Sequence, residues 1–293
     1  MPTPHFGKPD FNSRADFSPT HIRGITHLKP VQFIGSASFE FARFMEEADF
    51  SEAKFKGDSS FDHGEFYGEA CFCETEFSKG AFFYDTKFKG DFILWDARFS
   101  CLQMEWGTEL TKFYVDWNQI SKSLFCDYGP TYLSMVKSFK ELERFDDADN
   151  CYFKYRKWSQ REKPFGWSKL NDYLAWASCG YGVRPSYTIL FGVLSIFLFG
   201  ILFQTTTILG SMSSQSFLNQ NPLIITSYFI SMLSQEIITF SFFSYLATSL
   251  NVFITGNISD LSGIAKYIAM IELLVRGLLF ALFVVVLTKK MIR

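Results

Sequence analysis

ADFSEAKF, residues 48–55, carries the pattern on which the fold of the first part of the chain turns. Phe50 and Phe55 each follow a small residue, Ala48 and Ala53, by two places. Followed outward, large apolar residues fall at 6, 11, 17, 22, 28, 33, 39, 44, 50, 55, 61, 66, 72, 77, 83, 88, 94 and 99. All are Phe except Ile22, Leu28 and Leu94. The steps alternate between five and six, an 11-residue period. A small residue precedes most of them by two, among them Ala15, Ala37, Ala42, Ser59, Gly64, Ala70, Thr75 and Ala97.

No α-helix has that period, and simple hairpin alternation does not match it either. A solenoid does. Each phenylalanine points inward onto its equivalent in the next coil, and the small residue lets the backbone turn a corner, with glycine expected at the tightest ones. At ~1.5–3 kcal/mol per buried Phe, a dozen such residues form a core without long-range sheet pairing.

These AxF steps, in ADFSEAKF and in GEFYGEACF (residues 64–72), resemble the pentapeptide-repeat superfamily over about residues 6–100. The resemblance implies a right-handed β-helix, four-sided with about two periods per coil, or a flatter two-sided coil. Some relatives mimic DNA through an acidic face; Lys54, Lys56, Lys79, Lys87 and Lys89 interrupt any such face here. The module then reads as a passive structural element or a surface for a protein partner.

The 293 residues divide into unlike halves beneath a net charge of −2. Residues 1–170 are charged and Phe-rich. Between Pro185 and Ala265 there is no Lys or Arg, and the only charges are Glu236 and Asp260. No basic stripe or nucleic-acid motif appears, so nucleic acid is not expected as a partner. MPTPHFGKPDF lacks the basic-then-apolar order of a secretory signal, which predicts a cytoplasmic repeat domain. Cys71, Cys73, Cys101, Cys126, Cys151 and Cys179 show no CxxC pair and suit buried reduced thiols. No nucleophile, acid–base or metal-ligand set is visible, so no enzyme, metal or cofactor is expected.

From Tyr132 the period changes. Leu133, Val136, Phe139, Leu142, Phe145, Ala148, Tyr152 and Tyr155 predict one amphipathic helix whose other face carries the DDADN run. That run lacks the glycine and glutamate of a calcium loop, and a solvated face is the better account. The basic and aromatic stretch from Lys154 to Trp176 predicts an interfacial helix. The organisation is therefore a solenoid (residues 1–110), a helical connector (111–184) and a membrane domain (185–293).

Two apolar runs in the last part are long enough to cross a bilayer, residues 187–204 and 264–288. Basic residues precede the first and follow the second, which places both ends of this domain in the cytoplasm and makes the number of crossings even. A third apolar stretch lies within residues 222–257. A segment that enters and returns on the same side preserves parity; four short spans do so too. Such non-helical backbone is tolerated only inside protein or along a watery cavity.

FDDADNCYFKYR (145–156), KPFGWSKLNDYLAW (163–176), CGYGVRPSY (179–187), GIAKYIAMIELL (263–274) and ALFVVVLTKKM (281–291) resemble prokaryotic, often archaeal, two-span potassium-channel-like proteins that carry pentapeptide repeats. That resemblance implies a homotetramer in the cell membrane with a re-entrant pore loop. Matching backward from Gly263 puts the filter on Asn251, Val252, Phe253, Ile254, Thr255, Gly256 and Asn257, after a pore helix ending at Ser244–Leu250. Ile254 stands where the family has a second glycine, and a β-branched residue resists the strained carbonyl ladder that strips potassium of water. The permeant ion implied is potassium or an unselected cation. Gly180-Tyr181-Gly182 also reads GYG but precedes the first span and suits a turn.

Glu272 and Arg276 are one helical turn apart, so an ion pair is geometrically available. A ring of Arg276 on a cavity wall would repel cations, and Gly277 beside it suits either a gating hinge or close helix packing. Glu236 and Asp260 at the outer mouth favour cations. The rival is a membrane-anchored scaffold whose pore does not conduct and whose solenoid binds a protein.

Overall fold

Two-residue strands pair in parallel at a spacing of 22. Ala15 faces Ala37, Ala37 faces Ser59, and Ser59 faces Ala81. The computed structural model describes residues 10–105, 112–214 and 241–291. Four strand columns result, starting at Asp10, Ala15, His21 and Thr26 and each climbing in these steps. A four-sided β-solenoid of about five coils is built, two 11-residue periods to the coil.

Its interior is a ladder of rings. Phe33–Phe55, Phe44–Phe66 and Phe50–Phe72 stack at 4.7, 4.6 and 4.7 Å with planes within 5°. Rings on neighbouring faces meet edge-on, as Phe50 and Phe61 do at 5.5 Å and 86°. Offset stacks and edge contacts are the two arrangements that the aromatic quadrupole favours. Phe33, Phe55, Phe61, Phe72 and Phe83 have no exposed surface. Thr75 and Thr86 stand at the small-residue position, and their hydroxyls donate to the carbonyls of Phe50 and Phe61, so neither introduces an orphan polar group.

The corners differ from expectation. Phe41, Glu52, His63, Glu74, Asp85 and Asp96, eleven apart and none of them glycine, take the left-handed conformation. Such a residue costs roughly 1–2 kcal/mol. It is held there by a bond to the next coil: Glu52 N–H donates to the Cys73 carbonyl at 2.9 Å and His63 N–H to the Tyr84 carbonyl at 2.8 Å. Glycine serves close approach instead. A Cβ on Gly57 would lie 2.4 Å from the carbonyl oxygen of Gly35 one coil away.

The strands also run past residue 110. A register shift between Phe77 and Gly80 shortens the next step, so Ala81 pairs with Leu102 and Phe92 with Phe113. Leu124–Phe125 then pairs with Leu102–Gln103. The lost residue takes the last rungs out of phase with the phenylalanine period, which is why the periodicity ends before the strands do. Phe92 occupies a position that is small elsewhere and stacks on Phe88 at 3.9 Å and Phe113 at 5.2 Å.

A short helix, α1 (Trp117–Ile120), leads to α2 (Gly129–Glu141) and α3 (Phe145–Glu162). The single helix expected from Tyr132 onward is thus two, broken where Glu143 turns left-handed at φ 58°. Tyr132, Met135, Val136, Phe139, Ala148 and Cys151 are buried, whereas Leu133 is exposed. Phe139 meets Phe113 and Trp117, and the pair of helices joins the solenoid's core. The DDADN run lies inside α3, where Asp147 pairs with Arg144 at 2.6 Å. Cys126 and Cys151 are buried; Cys71 and Cys73 are half-buried with their Sγ atoms 2.8 Å apart, and burial pushes the Cys73 thiol up to about 12.

A second compact unit begins at Phe165. It comprises α4 (Trp167–Cys179), a turn at Gly180–Gly182, α5 (Pro185–Ser214), α6 (Ser241–Thr255) and α7 (Gly263–Met291). The GYG sequence is that turn, with all three residues at positive φ. Residues Pro185–Thr206 and Gly263–Met291 form two helices long and apolar enough to cross a membrane.

Phe61 tests the ladder. Phe61→Ala should lower the denaturant-measured stability of the repeat unit by about 3–5 kcal/mol, while exposed Trp95→Ala should change it by less than about 0.5 kcal/mol. Equal effects at the two positions would mean that the rings do not carry the core.

Candidate functional site

The apolar unit has its polar chemistry at the meeting of α5, α6 and α7. Phe199, Phe203, Val252 and Ala269 form the packed centre, drawn from all three helices. Gly200 admits α6 closely, since a Cβ there would stand 3.3 Å from the Cα of Leu246. Beside that contact Ser249 has no exposed surface, and neither has Glu272. Ser249 Oγ lies 2.5 Å from Glu272 Oε1 on α7 and 3.0 Å from the Ile196 carbonyl on α5. A hydroxyl carries one hydrogen, so Ser249 is shared between the two acceptors. Glu272 Oε2 is buried without a hydrogen-bond partner among the described residues.

Glu272 and Arg276 do not pair among the described residues. Glu272 turns to Ser249, and Arg276 turns to the end of α6. A Cβ on Gly256 would stand 3.0 Å from Arg276 Nη1, and Gly256 itself has φ 74°. Gly256 N–H donates to the Val252 carbonyl at 2.9 Å and closes the helix. The guanidinium therefore sits by the C-terminal end of α6, where the helix dipole is negative and a cation is favoured by about 0.3–1 kcal/mol at exposed sites and more when buried.

The segment expected to form a carbonyl-lined filter is mostly helical. α6 continues through Thr255, five residues beyond Leu250, so Asn251, Val252, Phe253, Ile254 and Thr255 direct their carbonyls along the helix. An apolar 14-residue run, Phe242–Thr255, gives no reason for the helix to stop at Leu250; Gly256 does. Val252 is buried and Phe253 half-buried, while Asn251, Ile254 and Thr255 are exposed. The turn that follows is polar: Ser259 N–H donates to Asn257 Oδ1 at 3.0 Å and Ser259 Oγ approaches Asp260 at 2.9 Å. Gly277 has open space where a Cβ would be. Glu236 and the rest of residues 222–240 lie outside the described residues, and no cluster of His, Cys, Asp or Glu among the described residues could hold a metal.

Sequence reasoning missed Ser249. It is one of several small hydroxyl residues along an apolar stretch, and nothing in the spacing marks it as the partner of Glu272, 23 residues away.

Comparison with known proteins supports the first unit. Residues 17–64 match pentapeptide repeats, in nine copies. The chain carries a pentapeptide-repeat solenoid. No curated protein and no solved structure gives a match.

Ser249→Ala leaves the Ile196 carbonyl and the Glu272 carboxyl without their shared partner, which should cost about 1–3 kcal/mol. Thermal unfolding of detergent-purified protein would read this as a clear fall in midpoint, whereas Glu272→Gln, which keeps a donor, should lose less. The reverse order would show that the Glu272 carboxyl, and not the Ser249 hydroxyl, holds the network together.

Proposed function

We propose that the chain is an ion-channel subunit. It sits in the cell membrane with two crossings, α5 and α7, and with α6 as a half-depth helix that enters and returns between them. The right-handed repeat solenoid lies in the cytoplasm together with both ends of the membrane domain. Four copies assemble around the conduction path.

One observation carries this reading. Ser249 and its neighbours hold a 15-residue apolar helix against two helices of spanning length. Crossing the hydrocarbon core takes about 20 residues, and apolar helices of 10–14 residues suit re-entrant positions. Large apolar side chains on α5 and α7, such as Leu190, Leu194, Leu274 and Leu278, are exposed, as lipid-facing residues would be. Phe165, Trp167, Tyr173 and Leu174 at α4 are also exposed and suit the membrane–water interface. With α6 helical to Thr255, a potassium-type ladder of carbonyls over Asn251–Thr255 has no part in this reading. The conduction path runs past the polar turn at Gly256–Asp260, and small cations pass without potassium selection.

A specific observation favours the rival, a membrane-anchored scaffold with a closed pore: the Arg276 guanidinium occupies the negative end of α6, where a channel of this design would hold its ion. Reconstitution in planar bilayers separates the two. Wild type should carry a small cation current with little difference between potassium and sodium reversal potentials, and Arg276→Ala should raise cation conductance several-fold. An intact tetramer that carries no current, with or without Arg276, would establish the scaffold.

A further inference from the structure

A groove of about 650 Å³ opens on the apolar unit, lined by residues of α5, α6 and α7 that include Ile189, Val193, Phe253, Leu279 and Phe280. Its volume falls within the range of small-molecule sites, roughly 300–1,000 Å³, which are apolar with a few placed polar groups. Two polar groups are placed here. Arg276 lines the groove, and no carboxylate among the described residues forms an ion pair with it. Thr188 also lines it; its Oγ1 is buried without a hydrogen-bond partner among the described residues, and the residue is 3% exposed. The floor is open at Gly277, where a Cβ would meet nothing within 4 Å.

We propose that this groove binds a single-chain carboxylate amphiphile, a long-chain fatty acid, with the carboxylate on the Arg276 guanidinium and the hydrocarbon along α5 and α7. Charge decides the class. With no carboxylate among the described residues paired to it, a guanidinium in an apolar groove calls for an anion, and a planar carboxylate meets its fork with two parallel hydrogen bonds. The apolar walls require the rest of the ligand to be hydrocarbon. Depth decides the size. Arg276 lies near the middle of α7, roughly 20 Å from either end at 1.5 Å per residue. A phospholipid carries its headgroup at the membrane surface; a free fatty acid can leave it. Thr188 Oγ1 offers a further polar contact inside the same groove. Bound carboxylate would neutralise the cation at the end of α6, so occupancy would regulate the proposed pore. This inference rests on the membrane setting proposed above and not on conduction.

The test measures oleate binding to the full chain in detergent by native mass spectrometry, with oleyl alcohol and oleylamine as probes of equal chain length. Oleate should bind at least tenfold more tightly than either. Arg276→Met should bring oleate down to the level of the alcohol. Gly277→Leu, which fills the groove without meeting a neighbour at its Cβ, should weaken oleate and alcohol alike. Circular dichroism and size-exclusion profiles matching wild type establish that the variants fold. Equal retention of oleate and alcohol by wild type, or oleate binding indifferent to Arg276, would overturn the proposal. So would oleate held by monomer and excluded from the oligomer, because a second copy would then fill the groove. Conductance, measured separately, keeps the outcomes apart: oleate binding without current leaves the site standing and removes the channel, and current without oleate binding does the opposite.

Discussion

Ring stacking at a 22-residue interval is the constraint from which the first unit follows. Each coil exposes on its upper and lower rims the backbone donors and acceptors of two-residue strands, far too short to be stable alone. Two parallel strands of that length gain little from hydrogen bonds, since a net bond contributes only about 0.5–1.5 kcal/mol. The phenylalanines bring the coils to a spacing at which every such bond closes. Phe39, Phe61 and Phe83 form one continuous column, with centroids 5.0 and 4.9 Å apart. Alanine beside each ring then follows by volume, because the cross-section has room for four large side chains per coil and little else. Phe92, still 22 residues from Ala70, breaks that rule on the coil before the register changes, and it stacks on Phe88 there.

The apolar unit is organised on the opposite logic. Its exterior is hydrophobic and its interior holds the polar groups. A serine, a glutamate and a backbone carbonyl share one network between three helices, and an arginine stands over a helix end. Burial of such groups is tolerated only when each finds a partner, and the unit comes close to that condition without meeting it. Among the described residues, Glu272 Oε2, Thr188 Oγ1 and Gln204 Nε2 are left over. In a purely structural bundle these would be replaced by apolar atoms at little cost, since an unpartnered buried group costs about 1–3 kcal/mol. Their presence, together with a guanidinium that pairs with no carboxylate among the described residues, marks this region as the place where the unit departs from the satisfied interior of a structural bundle.

How much of this could be read from the sequence depends on how local the cause is. The repeat was legible because each Phe acts on its neighbours at a constant offset, and a period of eleven in alternating steps of five and six fits neither a helix nor a hairpin. The last rungs were not, because a one-residue register shift near Gly80 has no mark in composition. The left-handed corners at Glu52, His63 and Glu74 were also hidden: their stability comes from bonds to the following coil, which no propensity records. The break between α2 and α3 rests on Glu143, a residue with ordinary helix preference. In the apolar unit, length and hydropathy gave the two long helices. They could not give the end of α6, because the choice between stopping at Leu250 and continuing to Thr255 is made by Gly256 and Arg276 together.

Those two residues tie local geometry to the functional question. Gly256 reaches φ 74° without strain, and its missing side chain leaves the room in which the guanidinium lies. A larger residue at 256 would meet Arg276 Nη1 at 3.0 Å and would also resist the left-handed turn that ends the helix. Gly256 thus has two physical roles. It terminates α6 and admits a fixed cation to the helix's negative end. A fixed positive charge at that end sets what the site can attract: an anion is the complementary ligand. Ile254 stays within the helix because the chain leaves it only at Gly256.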